Sequence, residues 1–198
     1  MRAGLCKLCG SRQGERRCPA LSAFICSACC GTHRRKVVHC PSNCPHLVAA
    51  ERRLRARRAA ELARSWESWT AAVAGGELAD CLPYMELLRR LLAQLLHESG
   101  GEDADVRAAL QHLNRRLSPI EAATLFTPPL ARRVEETLMP LVEQGRLDAL
   151  RLRGAAEAVD RFVEEFGRDE EPDRFVAGLL GTYPPQEGQP GQGLILRP

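Results

Sequence analysis

The chain has 198 residues, with 28 Lys and Arg against 25 Asp and Glu, a net charge of +3 and nine cysteines. That length suits one ordinary domain or a small module joined to a second. No stretch approaches the roughly 18 consecutive apolar residues needed to span a bilayer, so a protein without membrane spans is expected.

Charge and cysteine are both unevenly distributed. Residues 1–46 carry +7, residues 47–74 carry +3 and the remainder carries −7. A basic end joined to an acidic end points toward nucleic acid, a membrane surface or an acidic partner. Eight cysteines lie between Cys6 and Cys44, and only Cys81 falls outside that segment. Such clustering marks a metal site or a disulfide framework. The opening run Met1-Arg2-Ala3-Gly4-Leu5-Cys6-Lys7 has no apolar h-region. The expected compartment is therefore the cytoplasm, where thiols stay reduced and closely spaced cysteines serve as metal ligands.

The donors read Cys6-x2-Cys9-x8-Cys18-x7-Cys26-x2-Cys29-Cys30-x2-His33-x5-His39-Cys40-x3-Cys44-x-His46. A Cys-x-x-Cys turn offers two sulfurs to one ion with little backbone strain, and zinc favours a tetrahedron of thiolate and imidazole. Cys6, Cys9, Cys26 and Cys29 complete one such site. Cys18, Cys30, Cys40 and Cys44 remain and are the right number for a second. The adjacent pair Cys29-Cys30 fits interleaved sites, because neighbouring side chains in extended structure point to opposite faces. The spacing is also compatible with a single ion, and His33, His39 and His46 are nitrogens that can substitute for a cysteine. Two Zn2+ ions are the expectation. Eight thiolates and two zinc ions together add −4, which lowers the module from +7 to about +3 and weakens the argument for nucleic acid.

The run from Phe24 through Cys26, Cys29, Cys30 and Gly31 to Arg35, followed by Cys40-Pro41-Ser42-Asn43-Cys44-Pro45, resembles a group of uncharacterised bacterial proteins. Their pattern is Cys-x-x-Cys, a lone Cys, Cys-x-x-Cys-Cys-Gly and Cys-Pro-x-x-Cys, then a helical region. The resemblance covers about the first 48 residues. It implies eight cysteine ligands, matching Cys6, Cys9, Cys18, Cys26, Cys29, Cys30, Cys40 and Cys44, and it implies no activity. More distantly, the order of pairs is similar to cross-braced fingers of the B-box, MYND and HIT types, which mostly serve protein contacts. The B-box pattern wants a ligand three residues after Cys18, where this chain has Leu21.

Past the cysteines, Leu, Ala, Arg and Glu dominate and β-branched residues are few, which favours helix. A long basic helix is expected from Leu47 to Val73, ending before Gly75-Gly76. Its residues Leu62, Trp66, Trp69 and Val73 share a face that should pack against a core. A second helix fits Leu82 to His97 and a third Asp105 to Leu117. Ser118-Pro119-Ile120-Glu121 then reads as an N-cap, a first-turn Pro and a capping-box Glu. Thr127-Pro128 opens another helix, which Pro140 should kink or end. Asp148 to Phe166 and Asp173 to Leu180 supply the last two. Beyond Tyr183 Pro, Gly and Gln prevail, as in disordered tails. Cys81, His97 and His112 stand alone and carry no metal role.

The expected protein is mostly α. A zinc-binding module (1–46, irregular with a short hairpin) precedes a basic connecting helix (47–74), an all-α bundle (75–181) and a disordered tail (182–198). Catalytic zinc keeps an open position for water and commonly has an acid or base nearby. Here ligands are in surplus, Glu15 is the module's sole acid, and neither His-Glu-x-x-His nor a deaminase signature occurs. A zinc-dependent enzyme is thus the weakest reading. Nucleic-acid binding rests on Arg16, Arg17, Arg34, Arg35, Lys36, Arg52 and Arg53. The helix arginines, however, spread around the circumference, and Phe24 is the module's one aromatic platform. The preferred expectation is a structural zinc finger that contacts another protein.

Overall fold

A computed structural model of the protein describes residues 4–74, 76, 78–119, 126–167 and 171–185. The chain divides into two units, Met1–Leu54 and Arg55–Pro198. Among the described residues there are seven α-helices and one two-stranded sheet, so the fold is mostly α with a small cysteine-rich module at the start.

In the first unit β1 (Arg16–Cys18) and β2 (Ala23–Ile25) form the expected hairpin, with Arg16 opposite Ile25 and Cys18 opposite Ala23. Ser22 closes the turn at φ 49°, a left-handed conformation uncommon outside glycine. A short helix α1 (Ser27–His33) follows at once. The chain then turns tightly, the His33 carbonyl accepting the amides of Val37 and Val38 at 3.1 and 2.9 Å. This turn returns Val38 to the interior. Among the described residues, the buried hydrophobic side chains of this unit are Cys6, Cys18, Ile25, Cys26, Cys30, Val38, Cys44 and Leu47. Three aliphatic side chains, Ile25, Val38 and Leu47, make a very small core for a segment of about 50 residues, and buried cysteines outnumber them.

Helix α2 (Pro45–Val73) opens with Pro at its first position, where a missing N–H costs nothing, and the Cys44 carbonyl accepts the amides of Leu47 and Val48. From Arg55 onward α2 belongs to the second unit. There its Leu62 is fully buried, and Trp66 and Trp69 pack on Phe162 with ring centroids 4.8 and 5.4 Å apart. The remaining helices are α3 (Leu82–Ser99), α4 (Asp103–Arg116), α5 (Pro129–Glu143), α6 (Ala149–Phe166) and α7 (Arg174–Thr182), with a 3-10 turn at Ala79–Cys81. α3 buries Leu88, Leu91, Leu92, Leu95 and Leu96, the 3.6-residue repeat visible in the sequence. α4 packs chiefly on α6 and α5, while α3 packs on α6 and α7.

Two devices fix α7. Asp103 is buried, and its carboxylate accepts the amides of Phe175 and Val176, both at 2.9 Å. Burial raises its pKa, against the lowering effect of those two bonds. Gly178 lets α7 approach α2, since a Cβ there would stand 2.9 Å from the Leu62 Cβ and 3.2 Å from the Arg58 carbonyl oxygen.

Several boundaries differ from the sequence expectation. α4 begins at Asp103 because the Asp105 carboxylate takes the Glu102 amide at 2.9 Å, placing the cap earlier. Pro140 lies inside α5, and the helix continues one further turn to Glu143, with the Gln144 amide on the Pro140 carbonyl. The expected helix start at Ser118-Pro119-Ile120-Glu121 falls partly, and residues 186–198 of the expected tail 182–198 fall wholly, outside the described residues, while Thr182 still belongs to α7. Tyr183 donates its hydroxyl to Glu86 at 2.8 Å, and its carbonyl oxygen lies 2.6 Å from His97 Nε2.

Candidate metal centre

The first cysteine pair sits on a tight turn. The Gly10 amide reaches the Cys6 carbonyl at 2.8 Å, and Gly10 has φ 64°, which glycine adopts without Cβ strain. The Lys7 amide bonds to the Phe24 carbonyl at 3.0 Å, tying this turn to β2. β2 runs directly into Cys26, which caps α1: its sulfur accepts the Cys29 amide at 3.4 Å. A turn and a helix start are thus clamped face to face. The ligand atoms of Cys6, Cys9, Cys26 and Cys29 all lie within 4.8 Å of one another. A zinc tetrahedron with Zn–S near 2.3 Å needs sulfurs about 3.8 Å apart, so the donor set fits. Cys6 and Cys26 are buried, Cys29 is half-buried and Cys9 is exposed.

The thiols are electrostatically unequal. Hydrogen bonds from the Ser11 side chain and from the Ser11 and Arg12 amides bring Cys9 down to about 5. The hydrogen-bonded Cys26 side chain, followed by burial, pushes Cys29 up to about 12. Four sulfurs this close cannot all ionise without a cation among them, and a divalent ion removes that penalty. This cluster is positioned to bind a metal, as in a zinc finger.

The other four cysteines also converge. Cys18, Cys30, Cys40 and Cys44 line one small cavity together with His46, Arg16, Ile25 and Val38. Cys18 ends β1, Cys30 lies on α1, Cys44 precedes α2 and Cys40 sits on the connecting loop. Their arrangement is looser. Among the described residues, the first cluster is the only group of three or more Cys, His, Asp or Glu whose ligand atoms all fall within 4.8 Å.

The reason Cys29 and Cys30 diverge is not the one the sequence suggested. They lie on α1, not on an extended strand, and about 100° of helical rotation directs them apart. His33 and His39 do not line the cavity, whereas His46 does. The basic residues are also sorted. Arg16 lines the cavity, and Arg34 donates to the Cys30 sulfur at 3.9 Å. Arg35 pairs with Glu51 at 3.0 Å, and Arg17, Lys36, Arg52 and Arg53 are exposed. The placement of Arg16 and Arg34 beside these cysteines is one that the sequence reading missed. The signal was present in the strand, since Arg16 and Cys18 are two residues apart and share a face.

Compared with known proteins, the chain matches no protein-family model, no curated protein and no solved structure. Among the described residues, no helix is long and apolar enough to cross a membrane.

Proposed function

We propose that the protein is a structural zinc-finger protein, without catalytic activity, whose metal-held N-terminal module binds another protein. The observation that carries this reading is the saturated donor set at Cys6, Cys9, Cys26 and Cys29, which leaves no coordination position for a substrate or a reactive water. A second ion would be held by Cys18, Cys30, Cys40 and Cys44. Leu5, Leu8, Leu21 and Phe24 are exposed on the module, an unusual share of large apolar side chains for so small a segment. Exposed Lys7, Arg12 and Arg17 accompany them and favour an acidic partner.

Two measurements test the reading. Cobalt-substituted protein should show intense thiolate-to-metal absorption and no exchangeable water at the first site; a displaceable water there would establish an open, catalytic type of centre. Zinc-loaded full-length protein should fail to bind mixed RNA or DNA at low salt. Micromolar binding that disappears at higher salt would instead make phosphate contact through the basic residues the function.

A further inference from the structure

Five donors line a cavity in which a four-coordinate ion needs four. Three of them are built into regular structure. Cys18 is the last residue of β1, Cys30 is on α1, and Cys44 supplies the carbonyl that opens α2; all three are buried. The other two differ. Cys40 is half-buried on the loop between α1 and α2, its amide held only by a short-range bond to the Val38 carbonyl at 2.9 Å. His46 is half-buried in the first turn of α2, two residues beyond Cys44, and lines the same cavity.

We propose that Cys18, Cys30 and Cys44 are the constant ligands of a second zinc ion and that Cys40 and His46 are interchangeable at its fourth position. This rests on the two-ion reading above and adds to it a histidine ligand outside the eight cysteines. In the exchange the Cys40 thiolate leaves with its electron pair and the neutral His46 imidazole donates one. The zinc-ligand unit then changes from −2 to −1 with no change in oxidation state. Arg16, which lines the cavity, and Arg34, which bonds to Cys30, favour the more negative state, so Cys40 is the resting ligand and His46 the replacement. A site built in this way retains its ion when its one loop thiol is lost to alkylation or oxidation.

The test is zinc content per chain, measured on purified full-length protein, for the wild type, Cys40→Ser, His46→Ala and the double variant. The wild type and both single variants should hold two ions, and the double variant one. Cobalt spectra provide a second readout independent of retention: Cys40→Ser should lose the absorption of one thiolate and gain the spectrum of a three-sulfur, one-nitrogen site, and His46→Ala should match the wild type. One ion in Cys40→Ser, with two in the wild type, overturns the interchange and leaves the two-ion reading standing. Two ions in the double variant overturns it as well, since another donor must then serve. One ion in the wild type overturns the two-ion reading itself.

Discussion

The two units build an interior by different means. In the helical unit, helix repeats bury Leu, Val, Ala and Phe in one continuous cluster, with partly buried Trp66, Trp69 and Tyr183 at its margin. Among the described residues of the first unit the buried set is mainly sulfur, with Ile25, Val38 and Leu47 as its aliphatic members. The helical unit draws its stability from area removed from water, distributed over many side chains. The small unit lacks that area, and a metal bound at its cysteine cluster would supply coordinate bonds instead. Damage should therefore be graded in one and all-or-none in the other.

Removal of the first metal site is the strongest way to break that contrast. Cys6→Ser/Cys9→Ser should abolish zinc binding at that site and collapse the amide dispersion of residues 4–54 in NMR spectra, while the helical circular dichroism largely persists. Retained zinc and retained dispersion would show that the cluster is not what holds the module. In the helical unit, Leu92→Ala removes a fully buried side chain and should cost about 2–5 kcal/mol in denaturant unfolding, with zinc content unchanged. A loss of zinc in that variant would mean that the two interiors are not independent.

Smaller effects sharpen the comparison. Gly178→Ala should cost about 1–3 kcal/mol, because its methyl group meets the Leu62 Cβ and the Arg58 carbonyl. A neutral result would show that α7 shifts freely on α2. The metal module should respond to pH in one direction. The metal-free Cys29 thiol, at about 12, is protonated at neutral pH, so zinc uptake must release its proton. Affinity should fall as pH falls, by about 1.4 kcal/mol per pH unit for each proton released. Calorimetry in buffers of different ionisation enthalpy counts those protons, and a count of zero would remove Cys29 from the ligand set. Least of all should follow from Arg58→Ala. Its partners Glu171 and Asp173, at 2.8 and 3.5 Å, are half exposed, and such pairs contribute below about 1 kcal/mol.

Much of the helical unit was legible because its cause is periodic and local. Leucines at helical spacing identified α3, and the stretch from Asp148 to Phe166 located α6, with Asp148 itself standing just outside as the cap whose carboxylate accepts the Arg151 amide at 2.9 Å. Trp66 and Trp69 fell on the face of α2 expected to pack. Asp103 was not legible. Its role is to cap a helix 72 residues further along the chain, and no local pattern announces a carboxylate that must meet the start of α7.

The cysteine module divides along the same line. Residue spacing alone determined that Cys6, Cys9, Cys26 and Cys29 belong together, because two Cys-x-x-Cys turns present paired sulfurs whatever lies between them. It also determined that the fold is mostly helical. Tertiary structure decided what spacing could not. It sent Cys29 and Cys30 to different places by helical rotation, turned Arg16 and Arg34 toward sulfur, and brought His46 but not His33 or His39 to the second cavity. Each of these depends on the direction a side chain takes from its element, and that direction is fixed only when strand, helix and loop are packed together.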